Sequence, residues 1–199
     1  IAQKADKGGA DIIEAGTPLL QKFGLQTTIS QLRRVIKDKP IVADLKIADA
    51  GYIAARSAFE VGANITTVIS AASKETIEEA VKAAKEFGGK IVSDLIISCN
   101  LSKDIEKSLS IGVDYILAHV GIDVQSRGRT ALYILQDASD HIPRNKLAVA
   151  GGINKTIIQV ILRYQPKIVI VGGAITKADD PENATKELKR IIEDYISNM

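Results

Sequence analysis

Residues 41–49 of the chain read Ile41-Val42-Ala43-Asp44-Leu45-Lys46-Ile47-Ala48-Asp49. The apolar start of this stretch predicts a strand that is buried on both faces, as strands of parallel sheets are. Asp44 and Lys46 interrupt the run at positions that strand alternation places on the same side. Because burying a carboxylate and an ammonium is costly without partners, this pair needs a structural or a functional reason.

Similar runs rich in Ile and Val predict further strands at residues 11–14, 65–69, 91–96, 115–119, 147–150 and 168–171. Segments with helical spacing separate them, and residues 75–85 are an example. This alternation predicts an α/β fold with a parallel sheet, either doubly wound or closed into a (β/α)8 TIM barrel, and the barrel is the expectation adopted, as a single domain over residues 1–199. Only seven strands can be identified, so we expect the first barrel strand to precede Ile1. A seven-stranded open sheet is the alternative.

Composition excludes several classes of protein. The net charge of +2 arises from 26 basic and 24 acidic residues spread along the chain, which does not favour a nucleic-acid partner. No apolar run approaches the roughly 20 residues needed to cross a bilayer, so no membrane association is expected. Cys99 is the single cysteine, which excludes an intrachain disulfide and a metal site built from cysteines. A cytoplasmic location is the expectation.

Catalytic groups of parallel α/β folds gather at the carboxyl ends of the strands. The ionisable residues predicted there are Glu14, Asp44, Lys46, Asp49, Asp94 and His119. Asp44 is a candidate ligand for a divalent cation, and Lys46 is a candidate for placing positive charge against a developing oxyanion. The alternative for this pair is a simple buried salt bridge. For Asp49 the alternative is a helix cap, and for His119 it is a structural hydrogen bond.

Two glycine pairs, Gly151-Gly152 and Gly172-Gly173, follow the last two predicted strands. Barrels commonly bind phosphate through backbone N–H groups at these strand ends, where glycine leaves the backbone accessible. Asn154 and Thr176 follow the pairs as predicted helix caps. The pattern favours a phosphate site, with tight turns as the alternative.

The segment Asp44-Leu45-Lys46-Ile47-Ala48-Asp49-Ala50-Gly51 resembles the Asp-x-Lys-x-x-Asp signature of the orotidine 5′-phosphate decarboxylase superfamily. The Ala-Gly that follows the signature is similar to the branch containing 3-keto-L-gulonate-6-phosphate decarboxylase and 3-hexulose-6-phosphate synthase. The likeness extends through residues 12–18, the surroundings of His119, and residues 150–153 and 171–175. It therefore covers nearly the whole chain.

The resemblance implies a set of roles. Glu14 and Asp44 would bind Mg²⁺, Lys46 would stabilise an enediolate, and His119 would transfer a proton. Asp49 would reach across the interface of a homodimer into the neighbouring active site, so that the active sites are shared. Asp94 would line the same cavity, and the substrate would be a phosphorylated sugar.

Four positions separate the two members of the branch. The decarboxylase pattern has Glu at Asp94, Arg at Ile122, Thr at Ala150 and an Arg in the turn at residues 172–174, and this chain has none of them. The resemblance therefore implies the aldolase-type lyase, which joins formaldehyde to D-ribulose 5-phosphate, or reverses that reaction, through a magnesium-stabilised enediolate. The product would be D-arabino-3-hexulose 6-phosphate. The alternatives are the two decarboxylases and a catalytically silent barrel that binds phosphate.

Overall fold

The computed structural model describes residues 1–198, which form two compact units. The central unit is Asp11–Ile116, and the terminal unit combines Ile1–Ala10 with the described residues from Leu117 onward. The expectation of a single domain over residues 1–199 stays a prediction. None of the helices in residues 1–198 has the length and apolar character required to cross a membrane.

Strands and helices alternate along residues 1–198 as the sequence predicts. The seven strands are β1 Ile13–Ala15, β2 Ile41–Ile47, β3 Ile65–Ile69, β4 Lys90–Asp94, β5 Tyr115–His119, β6 Leu147–Ala150 and β7 Ile168–Ile170. The helices are α1 Ala2–Lys7, α2 Thr17–Phe23, α3 Leu25–Val35, α4 Gly51–Glu60, α5 Lys74–Phe87, α6 Leu101–Ile111, α7 Ile122–Gln125, α8 Leu132–Ala138, α9 Lys155–Leu162, α10 Gly173–Thr176 and α11 Pro181–Ser197. Each predicted strand overlaps an observed one, because short runs of Ile and Val mark buried strands reliably.

In the central unit, β1 to β4 form parallel pairs in chain order. Their core is apolar, and Ile41, Ala43 and Ile91 are fully buried. Helix α5 begins where the Ser73 side chain accepts a hydrogen bond from the Thr76 amide, a standard N-cap that satisfies an otherwise unpaired donor. The strand ends of this sheet carry the ionisable residues described below.

Strand β2 contains a bulge between Ala43 and Ile47. The step from Ala43 to Ile47 in β2 is matched by the shorter step from Thr66 to Val68 in β3. Lys46 adopts a left-handed backbone conformation with a φ of 48°. A bulge bends a strand and redirects the side chains within it. Asp44 and Lys46, whose side chains the sequence places on the same side, both lie within this bulged segment and contact each other.

Helices α4 and α5 approach each other closely at Gly51. A Cβ atom added to Gly51 would lie 1.9 Å from the main-chain oxygen of Thr76 and 3.0 Å from the Ala80 nitrogen. No side chain fits in that space, so the glycine at the start of α4 is required for helix packing.

In the terminal unit, β6 and β7 form a parallel pair. The predicted cap at Asn154 is confirmed, because its side chain accepts hydrogen bonds from the Thr156 and Ile157 amides at the start of α9. The predicted cap at Thr176 is wrong. Helix α10 begins directly after Gly172, so Thr176 is its last residue and cannot cap its N-terminus.

Candidate active site

An ammonium held between two carboxylates is the main feature of the central unit. Lys46 Nζ lies 2.9 Å from Asp44 Oδ1, 2.8 Å from Asp44 Oδ2 and 3.0 Å from Asp94 Oδ2. The Lys46 side chain keeps 20% of its surface exposed, whereas Asp94 is fully buried. The structure thus brings together three of the residues that the sequence predicts for the site, and it leaves part of the lysine accessible to a ligand.

Two threonines hold the Asp44 carboxylate. The Thr67 hydroxyl donates to Asp44 Oδ1 over 2.8 Å. The Thr17 hydroxyl lies 2.8 Å from Asp44 Oδ2 and 2.7 Å from the Asp44 main-chain oxygen, and it donates to one of them. The Thr17 amide also donates to Asp44 Oδ2, over 3.4 Å. Both oxygens of the carboxylate therefore have a neutral donor in addition to Lys46, as a buried charge requires.

Asp94 is the last residue of β4, and its position is fixed through the main chain. Its Oδ1 accepts from the Ile96 amide over 2.9 Å, and its main-chain oxygen accepts from the Ser70 amide over 2.9 Å. One oxygen of this buried carboxylate is thus bound to the loop after β4, while the other contacts Lys46. This arrangement orients the carboxylate toward the ammonium.

Charge decides the protonation states of this cluster. Burial raises the pKa of Asp44, but the Lys46 charge and the hydrogen bonds from Lys46, Thr67 and Thr17 outweigh burial and hold that pKa below its usual 3.8. Burial lowers the pKa of Lys46, but Asp94 and Asp44 outweigh it and raise that pKa above 10.5. The contribution of Asp44 to stability is lost as pH falls through its lowered pKa, and that of Lys46 as pH rises through its raised pKa. Both groups are charged at neutral pH.

The two remaining predicted residues of the central unit are exposed. Glu14 belongs to β1, where its Cα is in register with Val42 of β2. Asp49 lies in the loop between β2 and α4. The capping alternative for Asp49 is wrong, because the N-cap residue of α4 is Ala50, which has a left-handed backbone and makes no side-chain cap.

The carboxylates of this region are oxygen ligands of the kind that Mg²⁺ binds. Asp44 and Asp94 carry two negative charges against the single ammonium of Lys46, and Glu14 adds a further carboxylate on the neighbouring strand. Mg²⁺ typically takes one or two protein carboxylates and fills its other positions with water and substrate oxygens. No group of three His, Cys, Asp or Glu side chains in residues 1–198 could hold a metal ion by itself. Any ion here would therefore depend on few protein ligands.

The terminal unit holds the predicted proton-transfer residue. His119 is the last residue of β5 and is half-buried. Ile122, at the position where the decarboxylase pattern has Arg, begins α7 and is 70% exposed. His119 therefore has the strand-end position that the sequence predicts.

The two glycine pairs of the terminal unit differ. A Cβ atom at Gly151 would lie 2.5 Å from the Val120 main-chain oxygen, and Gly151 has a φ of 113°. Packing and backbone conformation thus require glycine there. At Gly172 and Gly173 nothing lies within 4 Å of an added Cβ, and both residues are exposed. Packing does not explain this second pair, and its backbone is open to solvent.

Comparison with known proteins identifies the family of this chain. A sequence model described as "Orotidine 5'-phosphate decarboxylase / HUMPS family" matches residues 1–188. The chain belongs to this family. It is 37% identical to the 3-hexulose-6-phosphate synthase of Staphylococcus epidermidis over 193 residues, which cover 97% of this chain and 91% of that protein. The resemblance inferred from the Asp-x-Lys-x-x-Asp segment is confirmed.

Solved structures of the orotidine 5'-phosphate decarboxylase / HUMPS family have the same fold as this chain. The 3-hexulose-6-phosphate synthase of Salmonella typhimurium matches with a TM-score of 0.91 and 31% identity, covering 97% of this chain and 90% of that one. The 3-keto-L-gulonate-6-phosphate decarboxylase of Vibrio cholerae matches with a TM-score of 0.83 and 28% identity, covering 98% and 90%. The predicted class, the TIM-barrel-like fold of this enzyme family, is confirmed.

Thr17 and Thr67 belong to the site but are not among the residues that the sequence predicts for it. A signal for Thr67 was present, because Ile65-Thr66-Thr67-Val68-Ile69 places two hydroxyls inside a strand predicted to be buried. Buried hydroxyls need hydrogen-bond partners, and the nearest predicted polar groups were those of β2. No comparable signal marked Thr17, which precedes Pro18 at the start of a short helix.

Proposed function

We propose that this chain is a 3-hexulose-6-phosphate synthase, which joins formaldehyde to D-ribulose 5-phosphate or cleaves the product, D-arabino-3-hexulose 6-phosphate. The observation that carries the proposal is the Lys46 ammonium, which contacts both the Asp44 and Asp94 carboxylates and stays partly exposed. The names of the similar enzymes from Staphylococcus epidermidis and Salmonella typhimurium support the choice of reaction.

Lys46 would stabilise the enediolate that forms when a proton leaves the carbon next to the ketose carbonyl. Its ammonium is already oriented by the carboxylates, so little reorganisation is needed when negative charge develops on the substrate oxygen. The raised pKa of Lys46 keeps it protonated at neutral pH, which this electrostatic role requires. A positive charge in a partly buried site acts more strongly than one in water.

Magnesium is part of the proposal, with Glu14 and Asp44 as the residues that would hold it. When bound, the ion would supply Lewis-acid polarisation of the ketose oxygens. His119, at the end of β5, would remove the proton from carbon, since an imidazole is suited to proton transfer near neutral pH. The exposed backbone of Gly172 and Gly173 would bind the substrate phosphate, together with the turn at Gly151 and Gly152.

The residues around the reaction centre support the synthase over the decarboxylase. Asp94, Ile122 and Ala150 replace a Glu, an Arg and a Thr of the decarboxylase pattern, and residues 172–174 contain no Arg. A pocket with fewer cations suits a neutral aldehyde better than a substrate that carries a carboxylate. The second candidate is therefore 3-keto-L-gulonate-6-phosphate decarboxylase.

We also propose a homodimer in which Asp49 of each subunit enters the neighbouring active site. The exposure of Asp49, and the absence of a capping role for it, support this assignment. We expect sedimentation at micromolar concentration to give the mass of a dimer, and Asp49→Ala to lower activity without unfolding the chain. A monomer with full activity would contradict the proposal of a dimer with shared active sites.

The test of the proposed reaction uses the purified chain with D-ribulose 5-phosphate, formaldehyde and Mg²⁺. We expect formaldehyde to be consumed only when all three are present and no chelator is added. In D₂O without formaldehyde, the substrate should exchange its carbon-bound proton. Absence of exchange would exclude the enediolate, whereas faster decarboxylation of 3-keto-L-gulonate 6-phosphate would keep the enediolate and favour the second candidate.

A further inference from the structure

The Thr67 side chain connects the two ionisable residues of β2. Its hydroxyl accepts a hydrogen bond from the Lys46 amide over 2.8 Å and donates one to Asp44 Oδ1 over 2.8 Å. A hydroxyl has one proton to donate, and here the donation goes to the carboxylate while a lone pair receives the amide. The hydroxyl thus contacts both the main chain of Lys46 and the side chain of Asp44.

The main chain at Lys46 needs such an anchor. Its φ of 48° lies in the left-handed region, which is uncommon for a residue with a side chain and persists only where the surroundings stabilise it. The bulge in β2 interrupts the pairing with β3 at this point, so the Lys46 amide finds its acceptor in a side chain of β3. Loss of that acceptor would leave a part-buried donor unpaired and the strained conformation less well held.

The anchor is itself rigid. Thr67 is 2% exposed, lies within β3 and carries a β-branched side chain, which restricts rotation about χ1. Its hydroxyl therefore transmits the fixed position of β3 to the bulge. Because Asp44 Oδ1 also contacts Lys46 Nζ, one hydroxyl constrains the lysine at both its amide and, through the carboxylate, its ammonium.

We infer that Thr67 is a positioning residue for the reaction proposed above, acting by holding the Lys46 main chain and the Asp44 carboxylate in the arrangement that orients the Lys46 ammonium. This inference rests on the proposed function for its kinetic consequence. Thr67 does not need to touch the substrate, and its effect is expected in the chemical step more than in substrate binding.

The neighbouring residue provides a matched control. Thr66 is also fully buried in β3, and its hydroxyl also donates to β2, to the main-chain oxygen of Ala43 over 2.8 Å. This partner is a main-chain carbonyl and not an ionisable group. Replacing either threonine by valine keeps the shape and removes one buried hydroxyl, so the two variants separate a general loss of stability from a loss of positioning.

The experiment compares Thr67→Val, Thr67→Ser and Thr66→Val with the full wild-type chain. We expect Thr67→Val to lower kcat by about tenfold or more, the factor that corresponds to one hydrogen bond to a charged group, while the KM for D-ribulose 5-phosphate changes little. Thr67→Ser, which retains the hydroxyl, should restore most of kcat. Thr66→Val should keep kcat near the wild-type value even if its melting temperature falls as far as that of Thr67→Val.

Equal kcat values for Thr67→Val and Thr66→Val would overturn the inference, and so would a failure of Thr67→Ser to recover kcat. A readout that needs no substrate separates this result from failure of the proposed function. Hydrogen exchange of the Lys46 amide, followed by NMR, should be faster in Thr67→Val than in wild type and unchanged in Thr66→Val. If the wild type does not act on D-ribulose 5-phosphate, the proposed function fails, and unchanged exchange in Thr67→Val would then overturn the positioning role as well.

Discussion

The group formed by Lys46, Asp44 and Asp94 in the central unit differs in its surroundings from the Gly172-Gly173 turn of the terminal unit. At Lys46, a partly exposed ammonium is paired with two buried carboxylates, and Asp44 accepts a further hydrogen bond from Thr67. At Gly172 and Gly173, side chains are missing and the backbone lies open. A group that must stabilise developing charge needs fixed neighbours, whereas a group that must admit a phosphate needs empty space. Candidate catalytic residues and candidate binding residues therefore differ in what surrounds them.

Lys46→Ala tests the charged side of this comparison and has the largest expected effect. We expect kcat to fall by about 100- to 1000-fold, as when an oxyanion-stabilising group is removed, with a smaller change in KM. Steady-state kinetics on D-ribulose 5-phosphate and formaldehyde would measure it. Lys74→Ala, which alters an exposed lysine paired with Glu78 on α5, is the control and should be neutral. An unchanged kcat in Lys46→Ala would favour the simple salt bridge.

Gly151→Ala tests whether packing alone explains the first glycine pair. The added methyl would meet the Val120 main chain, and alanine would have to adopt a φ of 113°. We expect a loss of about 2 kcal/mol or more in the free energy of unfolding, since strain and overpacking add. Urea denaturation would measure it. A variant as stable as wild type would mean that the backbone at Val120 can move aside.

Gly173→Ala sharpens the comparison through a smaller effect. Because nothing lies within 4 Å of the added methyl, we expect the free energy of unfolding to stay within about 0.5 kcal/mol of wild type. Inorganic phosphate should nevertheless bind more weakly, by about threefold or more, because the methyl narrows access to the backbone. Calorimetric titration with inorganic phosphate would measure the affinity of the wild type and of Gly173→Ala. Unchanged phosphate affinity would remove this turn from the proposed binding site.

Much of the fold could be predicted from local sequence. Strands such as β3, β5 and β6 were bounded correctly because buried parallel strands are short runs of Ile, Val and Ala between helical segments. The bulge at Lys46 could not be predicted, because it depends on the register between β2 and β3, which are distant in sequence.

The sequence predicted the charged residues of the candidate site, but it did not predict the neutral threonines that hold them. Burying Asp44 and Lys46 is costly, so their presence in an apolar run was itself informative. Thr67 is chemically compatible with a strand and gave only a weak signal. The cap predicted at Thr176 and the capping alternative for Asp49 were wrong because the turns before α10 and α4 place Gly172 and Ala50 at the N-cap positions.

Gly51 shows how a sequence signature can report two things at once. It is the last residue of the segment Asp44–Gly51 that resembles the family signature, yet the contact with Thr76 on α5 makes it a requirement of helix packing. A descendant of this chain that had lost its chemistry would still need glycine at this position to fold. A search for enzymes with the proposed activity should therefore rely on Lys46 and not on Gly51. A mutational library that varies position 51 would mostly sample unfolded chains.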